Sequence, residues 1–225
     1  MKPLTGPRLP QLRGAATHLV VLVHGYGADG NDLIGLAPMW QRQLPTVAFV
    51  APNGPERCPG SPGYQWFPIT RLDPNEMGKG VESAAPILES FIDAELARLE
   101  LPPERLALVG FSQGTMLSLH VGLRRAPAAI VGYSGLLASP PPQSGSDTPP
   151  ILLVHGDADP MIPPGMLFEA AGALGHAGAS VQWHLSHGIG HSIDETGLAM
   201  GGMFLTMALQ GRLKRAAGEI GCALP

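Results

Sequence analysis

Apolar residues in this chain gather into short unbroken runs instead of alternating with polar ones. Residues 19–23, 47–51, 106–110 and 151–155 are such runs, each ending at a loop or turn rich in Gly, Pro, Asp or Asn. A strand covered on both faces has no polar side to present, so these runs predict buried strands of a parallel sheet. Residues 129–133 and 181–185 carry a weaker form of the signal. Between and after them, helical spacing of apolar residues predicts helices at 32–44, 80–99, 113–125, 164–176 and 193–215. The alternation of the two element types predicts an α/β fold, with a mostly parallel central sheet and helices on both faces.

The segment 80–99 places Val81, Ala84, Ala85, Leu88, Phe91, Ile92 and Leu96 on one side and leaves Glu82, Glu89, Asp93 and Arg98 for solvent. Pro86 is awkward there, because a proline beyond the first turn removes a hydrogen bond, and it predicts that the regular helix begins later. Two connections, 52–78 and 134–150, exceed ordinary loop lengths, and long loops are often functional.

A chain of 225 residues with 44% hydrophobic content can bury one substantial core, so a single domain spanning 1–225 is expected. Residues 1–17 read as an N-terminal extension and 216–225 as a C-terminal tail. The net charge of -4 offers no basic surface for nucleic acid or anionic lipid. The apolar stretch 198–209 is too short to span a bilayer, which takes about 20 residues, so no stable membrane insertion is expected. The run at 19–23 is likewise too short for a signal-peptide core. With only two cysteines, Cys58 and Cys222, there is no disulfide framework, and a cytoplasmic location is expected. The terminal Cys222-Ala223-Leu224-Pro225 lacks the usual last residue of a prenylation box.

Chemistry enters at Gly110-Phe111-Ser112-Gln113-Gly114, which has the form G-x-S-x-G. In a chain with 30 glycines that pattern alone arises by chance at a rate of roughly 0.2 per chain, so its context decides. A strand precedes it and a helix follows, the setting of a nucleophile elbow, in which a sharp turn exposes the serine hydroxyl at the sheet edge. The bland alternative makes Ser112 an N-cap of a buried helix.

A serine hydroxyl needs a base, and in this arrangement an acid and then a histidine follow the nucleophile in the chain. After the strand at 151–155 comes Gly156-Asp157-Ala158-Asp159-Pro160. Asp159 is preferred as the orienting acid because it lies farther from the strand, whereas Asp157 is placed to bind loop N–H groups. Of the histidines that follow, His191 sits between a Gly-containing turn and a new helix, with His187 its competitor. His184 reads as a strand residue and His176 as the end of a helix. The spacing of His184, His187 and His191 suits no recognised metal set, so neither a metal nor an organic cofactor is expected.

The loop His24-Gly25-Tyr26-Gly27-Ala28 follows the first apolar strand, where a second oxyanion donor should originate. The donors on this reading are the backbone N–H groups of Tyr26 and Gln113. Gly25, Gly27 and Gly30 also fit G-x-G-x-x-G, but a dinucleotide site expects an acid near the end of the next strand, where this chain has Ala51-Pro52-Asn53.

With these residues placed, the sequence resembles the phospholipase/carboxylesterase family of α/β-hydrolases, which includes bacterial carboxylesterases and acyl-protein thioesterases. Four segments carry the resemblance in order: 24–28, 110–114, 155–159 with Ile162-Pro163, and Gly190-His191. The resemblance implies an α/β-hydrolase fold, a catalytic Ser112, Asp159 and His191, and an oxyanion hole from Tyr26 and Gln113. It further implies that Trp66 and Phe67 border a substrate pocket, that the partner is a small-molecule ester, and that the chain forms a homodimer. The residues left over are too few for a separate lid domain. The rival within enzymes is a thioesterase or lysophospholipase using the same residues; across classes it is a ligand-binding relative without catalysis.

Overall fold

The computed structural model describes residues 3–70, 73–142 and 148–213. Among the described residues nine strands and six α-helices occur, the strands in chain order being β1 (Arg8–Leu9), β2 (His18–Val23), β3 (Val47–Val50), β4 (Glu56–Arg57), β5 (Tyr64–Gln65), β6 (Leu106–Phe111), β7 (Ala129–Tyr133), β8 (Ile151–Gly156) and β9 (Val181–Ser186). The helices that join them are α1 (Gly30–Ile34), α2 (Ala37–Gln41), α3 (Pro74–Arg98), α4 (Gln113–Arg125), α5 (Gly165–His176) and α6 (Glu195–Leu209). Seven strands form one sheet in the order β1-β3-β2-β6-β7-β8-β9, and β4 pairs with β5 separately. Every neighbour in the large sheet is parallel except β1 against β3.

The unbroken apolar runs have a direct explanation in the two cores. Leu19, Val21 and Val23 of β2 point into one cluster with α3 and α4, while Val20 and Leu22 enter another with α1, α2 and α6. Successive strand residues face opposite sides, so a strand between two helix layers is apolar at every position. The apolar α6 is seated closely on the fold: a side chain at Gly201 or Gly202 would collide with Tyr133 or Trp40, and Trp40 Nε1 donates to Leu198 O at 2.9 Å. Among the described residues no helix is long and apolar enough to cross a membrane.

Four expectations need correction. The helix expected at 32–44 is two short ones, with a break at Gly35 and Leu36 and Pro38 in the first turn of α2. Far from starting after Pro86, α3 begins at Pro74 and runs through it. Asp73 caps it by accepting from the N–H of Asn75 and Glu76, an Asp-Pro start signal that the apolar spacing does not register. Pro86 lies on the exposed face, where water replaces the bond it cannot make. The helix read to residue 215 ends at Leu209, and residues 214 and 215, like Cys222 and the tail, lie outside the described residues.

The fourth concerns the N-terminus. Residues 1–17 are not a simple extension, because Arg8 and Leu9 pair with Val50 and Phe49 to close one sheet edge. Arg8 also reaches Glu95 of α3, which Arg98 holds from the same helix at 2.8 Å. Burial pushes the Glu95 carboxyl up, but its bonds to Arg8 and Arg98 outweigh this and leave it below its ordinary value. A carboxyl depressed in the folded state stabilises above the unfolded value and loses that contribution as pH falls through the folded one. Glu95→Gln should therefore lower the melting temperature at neutral pH and flatten its decline in acid, as read by thermal melts across pH 3 to 7 (roughly the carboxylate range).

Candidate active site

The strand order gathers the singled-out residues at the C-terminal edge of the sheet, where open α/β sheets place their ligands. Val23 of β2 is paired with Gly110 of β6, so the loop after β2 lies beside the turn after β6. Ser112 sits on that turn with φ 53° and ψ −116°, a left-handed conformation costly for a residue with a side chain. Its amide donates to Tyr133 O at 2.9 Å, tying the turn to β7. Ser112 holds the N-cap position of α4, but its side chain makes no capping bond there. A Cβ on Gly114 would lie 1.8 Å from Val23 O, and one on Gly25 would lie 3.2 Å from Ser112 Cβ. Gly114 lets chain segments approach where a side chain would not fit, and Gly25 keeps its loop in close contact with the elbow.

Asp159, 6% exposed, follows β8 and is held by three donors, the N–H groups of Met161 and Ile162 and the ring of His191. Its Oδ1 accepts from the N–H of Met161 at 2.8 Å and of Ile162 at 3.0 Å. Its Oδ2 lies 2.7 Å from His191 Nδ1 and 3.2 Å from His155 Nε2. Burial opposes the charge on Asp159, but the bonds from His191, Ile162 and Met161 prevail and hold the carboxyl below its usual range. The His191 ring packs against Phe111, the residue before Ser112, with centroids 5.0 Å apart.

The competing acid and histidine pair with each other. His187 Nδ1 is 2.7 Å from Asp157 Oδ2, and Asp157 also accepts from Gly188 N. The His187 side chain is 99% exposed, against 14% for His191, so it stands in solvent rather than against the elbow. His184 is on β9 and His176 ends α5.

On the other side of Ser112, the N–H of Gln113 opens α4, where the first turn leaves amides without helical partners. Among the described residues the Tyr26 N–H donates to no backbone carbonyl. Trp66 and Phe67, expected beside a pocket, are each 2% exposed and belong to the core. The 52–78 connection is instead docked by its backbone. Trp66 N–H donates to Gln113 Oε1 at 2.9 Å, and Gln113 Nε2 donates to Phe67 O at 2.8 Å. Gly27 N donates to Tyr64 O and Tyr64 N to Ala28 O. Removing the Gln113 side chain, which is 0% exposed, strands one buried donor and one acceptor, each worth about 1–3 kcal/mol. Gln113→Ala should thus be markedly destabilised in urea melts while keeping its own backbone N–H.

Two histidines contribute what sequence motifs did not assign. His155 lies under Asp159 and donates from Nε2 to Ile162 O at 3.0 Å. His24, at 0% exposure, bonds from Nδ1 to Gly25 O at 2.7 Å and receives Gly54 N–H on Nε2 at 2.8 Å. A His before Gly in the one loop and before Gly in the other was the available signal, read only as motif.

With this geometry in place, comparison with known proteins is decisive for the family. The phospholipase/carboxylesterase family model matches residues 7–209. The chain belongs to the phospholipase/carboxylesterase family. This family member is 30% identical to acyl-protein thioesterase 1 of Gibberella zeae over 203 residues, 78% of this chain and 84% of that protein. It is 28% identical to esterase YpfH of Escherichia coli over 183 residues, 80% of this chain and 78% of that one. The crystal structure of esterase PE8 superposes with a TM-score of 0.84 at 41% identity, covering 91% of this chain and 98% of that one. The Bacillus cereus carboxylesterase, at 17% identity and a TM-score of 0.77 over 91% of this chain and 94% of that one, shares the fold. The seven-stranded α/β-hydrolase architecture of the family is thus present here, with no separate lid among the described residues.

Proposed function

We propose that this protein hydrolyses short to medium acyl esters through an acyl-enzyme formed on Ser112. Membership of the family makes it a hydrolase of the ester and thioester class. The observation that carries the finer reading is the 2.7 Å contact of His191 Nδ1 with Asp159 Oδ2, on a ring packed against Phe111, the residue before the strained Ser112. An Nδ1–H committed to Asp159 leaves Nε2 as the base.

In this mechanism His191 Nε2 takes the Ser112 proton as Oγ attacks the ester carbonyl, whose π electrons move onto its oxygen. The N–H groups of Tyr26 and Gln113 bind that oxyanion. Collapse expels the alcohol, which receives the proton from His191. Water then attacks the acyl-enzyme by the same route and releases the acid and Ser112. Asp159 keeps the imidazole tautomer and balances its transient positive charge. No step calls for a cofactor, and the partner is a small molecule; a cytoplasmic setting fits the two-cysteine composition.

A fluorophosphonate probe should label the protein at Ser112, identified by peptide mass; labelling elsewhere, or none with intact fold, sinks the reading in favour of a binding protein. The acyl-protein thioesterases among the relatives support a second reading, a thioesterase using the same residues. Matched acyl esters, thioesters and lysophospholipids assayed side by side separate the two by kcat/KM.

A further inference from the structure

His24 is buried beneath the loop that carries Tyr26, and its two ring nitrogens have partners of opposite demand. A backbone N–H can only donate, so the Gly54 amide at 2.8 Å requires a lone pair on Nε2. The proton therefore sits on Nδ1, which donates to Gly25 O at 2.7 Å. A doubly protonated ring would set Nε2–H against Gly54 N–H, and burial independently lowers the His24 pKa, so the ring is neutral. The ring is fixed further by Trp66, whose Nε1 donates to His24 O at 3.0 Å and whose ring lies 5.3 Å from the imidazole.

The Gly25 carbonyl and the Tyr26 N–H belong to one planar trans peptide, in which they point in opposite directions. Whatever holds the carbonyl aims the amide. That peptide is also next to the nucleophile, since a Cβ on Gly25 would lie 3.2 Å from Ser112 Cβ. We propose that His24 is a positioning residue of the oxyanion hole: its Nδ1–H grips Gly25 O and thereby points the Tyr26 N–H at the oxygen that gains charge on the substrate. This rests on the serine-hydrolase reading above. A histidine that merely filled the core would have no reason to link its Nδ1 proton to turnover.

Two near-isosteres separate these roles. In His24→Asn the amide nitrogen occupies the Nδ1 position, keeping the donor to Gly25 O and losing the acceptor for Gly54. In His24→Gln the amide reaches the Nε2 position, keeping the acceptor and losing the donor. Losing an oxyanion donor outright costs about 10² to 10³ in turnover, so a misaimed one should cost roughly 10- to 100-fold in kcat. The expected result is kcat within about threefold of wild type for His24→Asn and that 10- to 100-fold loss for His24→Gln, both at unchanged KM. Inhibition by a boronic acid, whose tetrahedral adduct places an oxygen in the same hole, should weaken in parallel with kcat.

Equal kcat in the two variants, with Ser112→Ala inactive, overturns the positioning role and leaves the hydrolase reading standing. Full activity in Ser112→Ala overturns both. Should either His24 variant fail to fold, two-bond ¹⁵N–¹H spectra of the unmutated protein report the tautomer directly. An Nδ1–H tautomer with a neutral ring supports the proposal, and an Nε2–H tautomer overturns it.

Discussion

Ser112→Ala is expected to lower kcat on a nitrophenyl butyrate ester by about 10⁴-fold or more, with far-UV spectra unchanged. In the proposed mechanism the hydroxyl supplies the attacking atom, and no other group on the elbow can replace it. The folded state should scarcely notice, because the Ser112 side chain makes no capping bond and alanine keeps the same Cβ. Ser112→Gly should be equally inactive and measurably more stable. The backbone at φ 53° suits glycine, and relief of a strain of about 1–3 kcal/mol outweighs the ~0.5–1 kcal/mol entropic cost of a glycine. A gain of about 1 kcal/mol raises the melting temperature of a chain this size by roughly 2–4 °C. Stability that rises as activity vanishes would mean that the turn is strained for the sake of its hydroxyl. A Ser112→Gly protein melting below wild type would contradict that account.

Asp159→Asn is expected to cost about 10⁴-fold in kcat by forcing the wrong imidazole tautomer. Oδ1 faces two amides that can only donate, Met161 N–H and Ile162 N–H, so the asparagine oxygen must take that side. Its NH₂ is then directed at His191 Nδ1, 2.7 Å away in the wild type, and at His155 Nε2. His191 Nδ1 can only accept from it, the ring proton moves to Nε2, and the nitrogen proposed to take the Ser112 proton ceases to be a base. Binding of an ester analogue should change little, so KM holds while kcat falls. A rate within tenfold of wild type (about 1.4 kcal/mol in the barrier) would remove Asp159 from the mechanism and return attention to the surface pair of Asp157 and His187.

Much of the fold was legible because burial on both faces leaves a blunt signature: five apolar runs became buried strands of the large sheet, while the weaker signal at 181–185 became its half-exposed edge strand β9. The elements that escaped have little apolar content to display. β1 is two residues long and is secured by backbone pairing and Arg8, while β4 is held by pairing with β5, which bridges Ala28 through Tyr64 and is followed by Trp66 on the Gln113 side chain. Pro86 misled because its cost depends on whether the surrounding helix face is wet, which spacing does not specify. At the candidate site, motifs singled out Ser112, Asp159 and His191 as candidates, since each has a fixed place after a strand. His24 and His155 went unassigned because a histidine bonded to backbone has no spacing rule; its role is set by which nitrogen meets a donor.

The Gln113 clamp on Trp66 and Phe67 has a consequence in time. It closes a span of 47 residues, and the Asp159 to His191 contact must likewise wait for β9 to reach its place beside β8. Contacts between such distant segments form late, after the entropy of loop closure has been overcome. During refolding from urea, helical signal should therefore return before turnover, and the interval between them times the docking of the 52–78 connection onto the elbow.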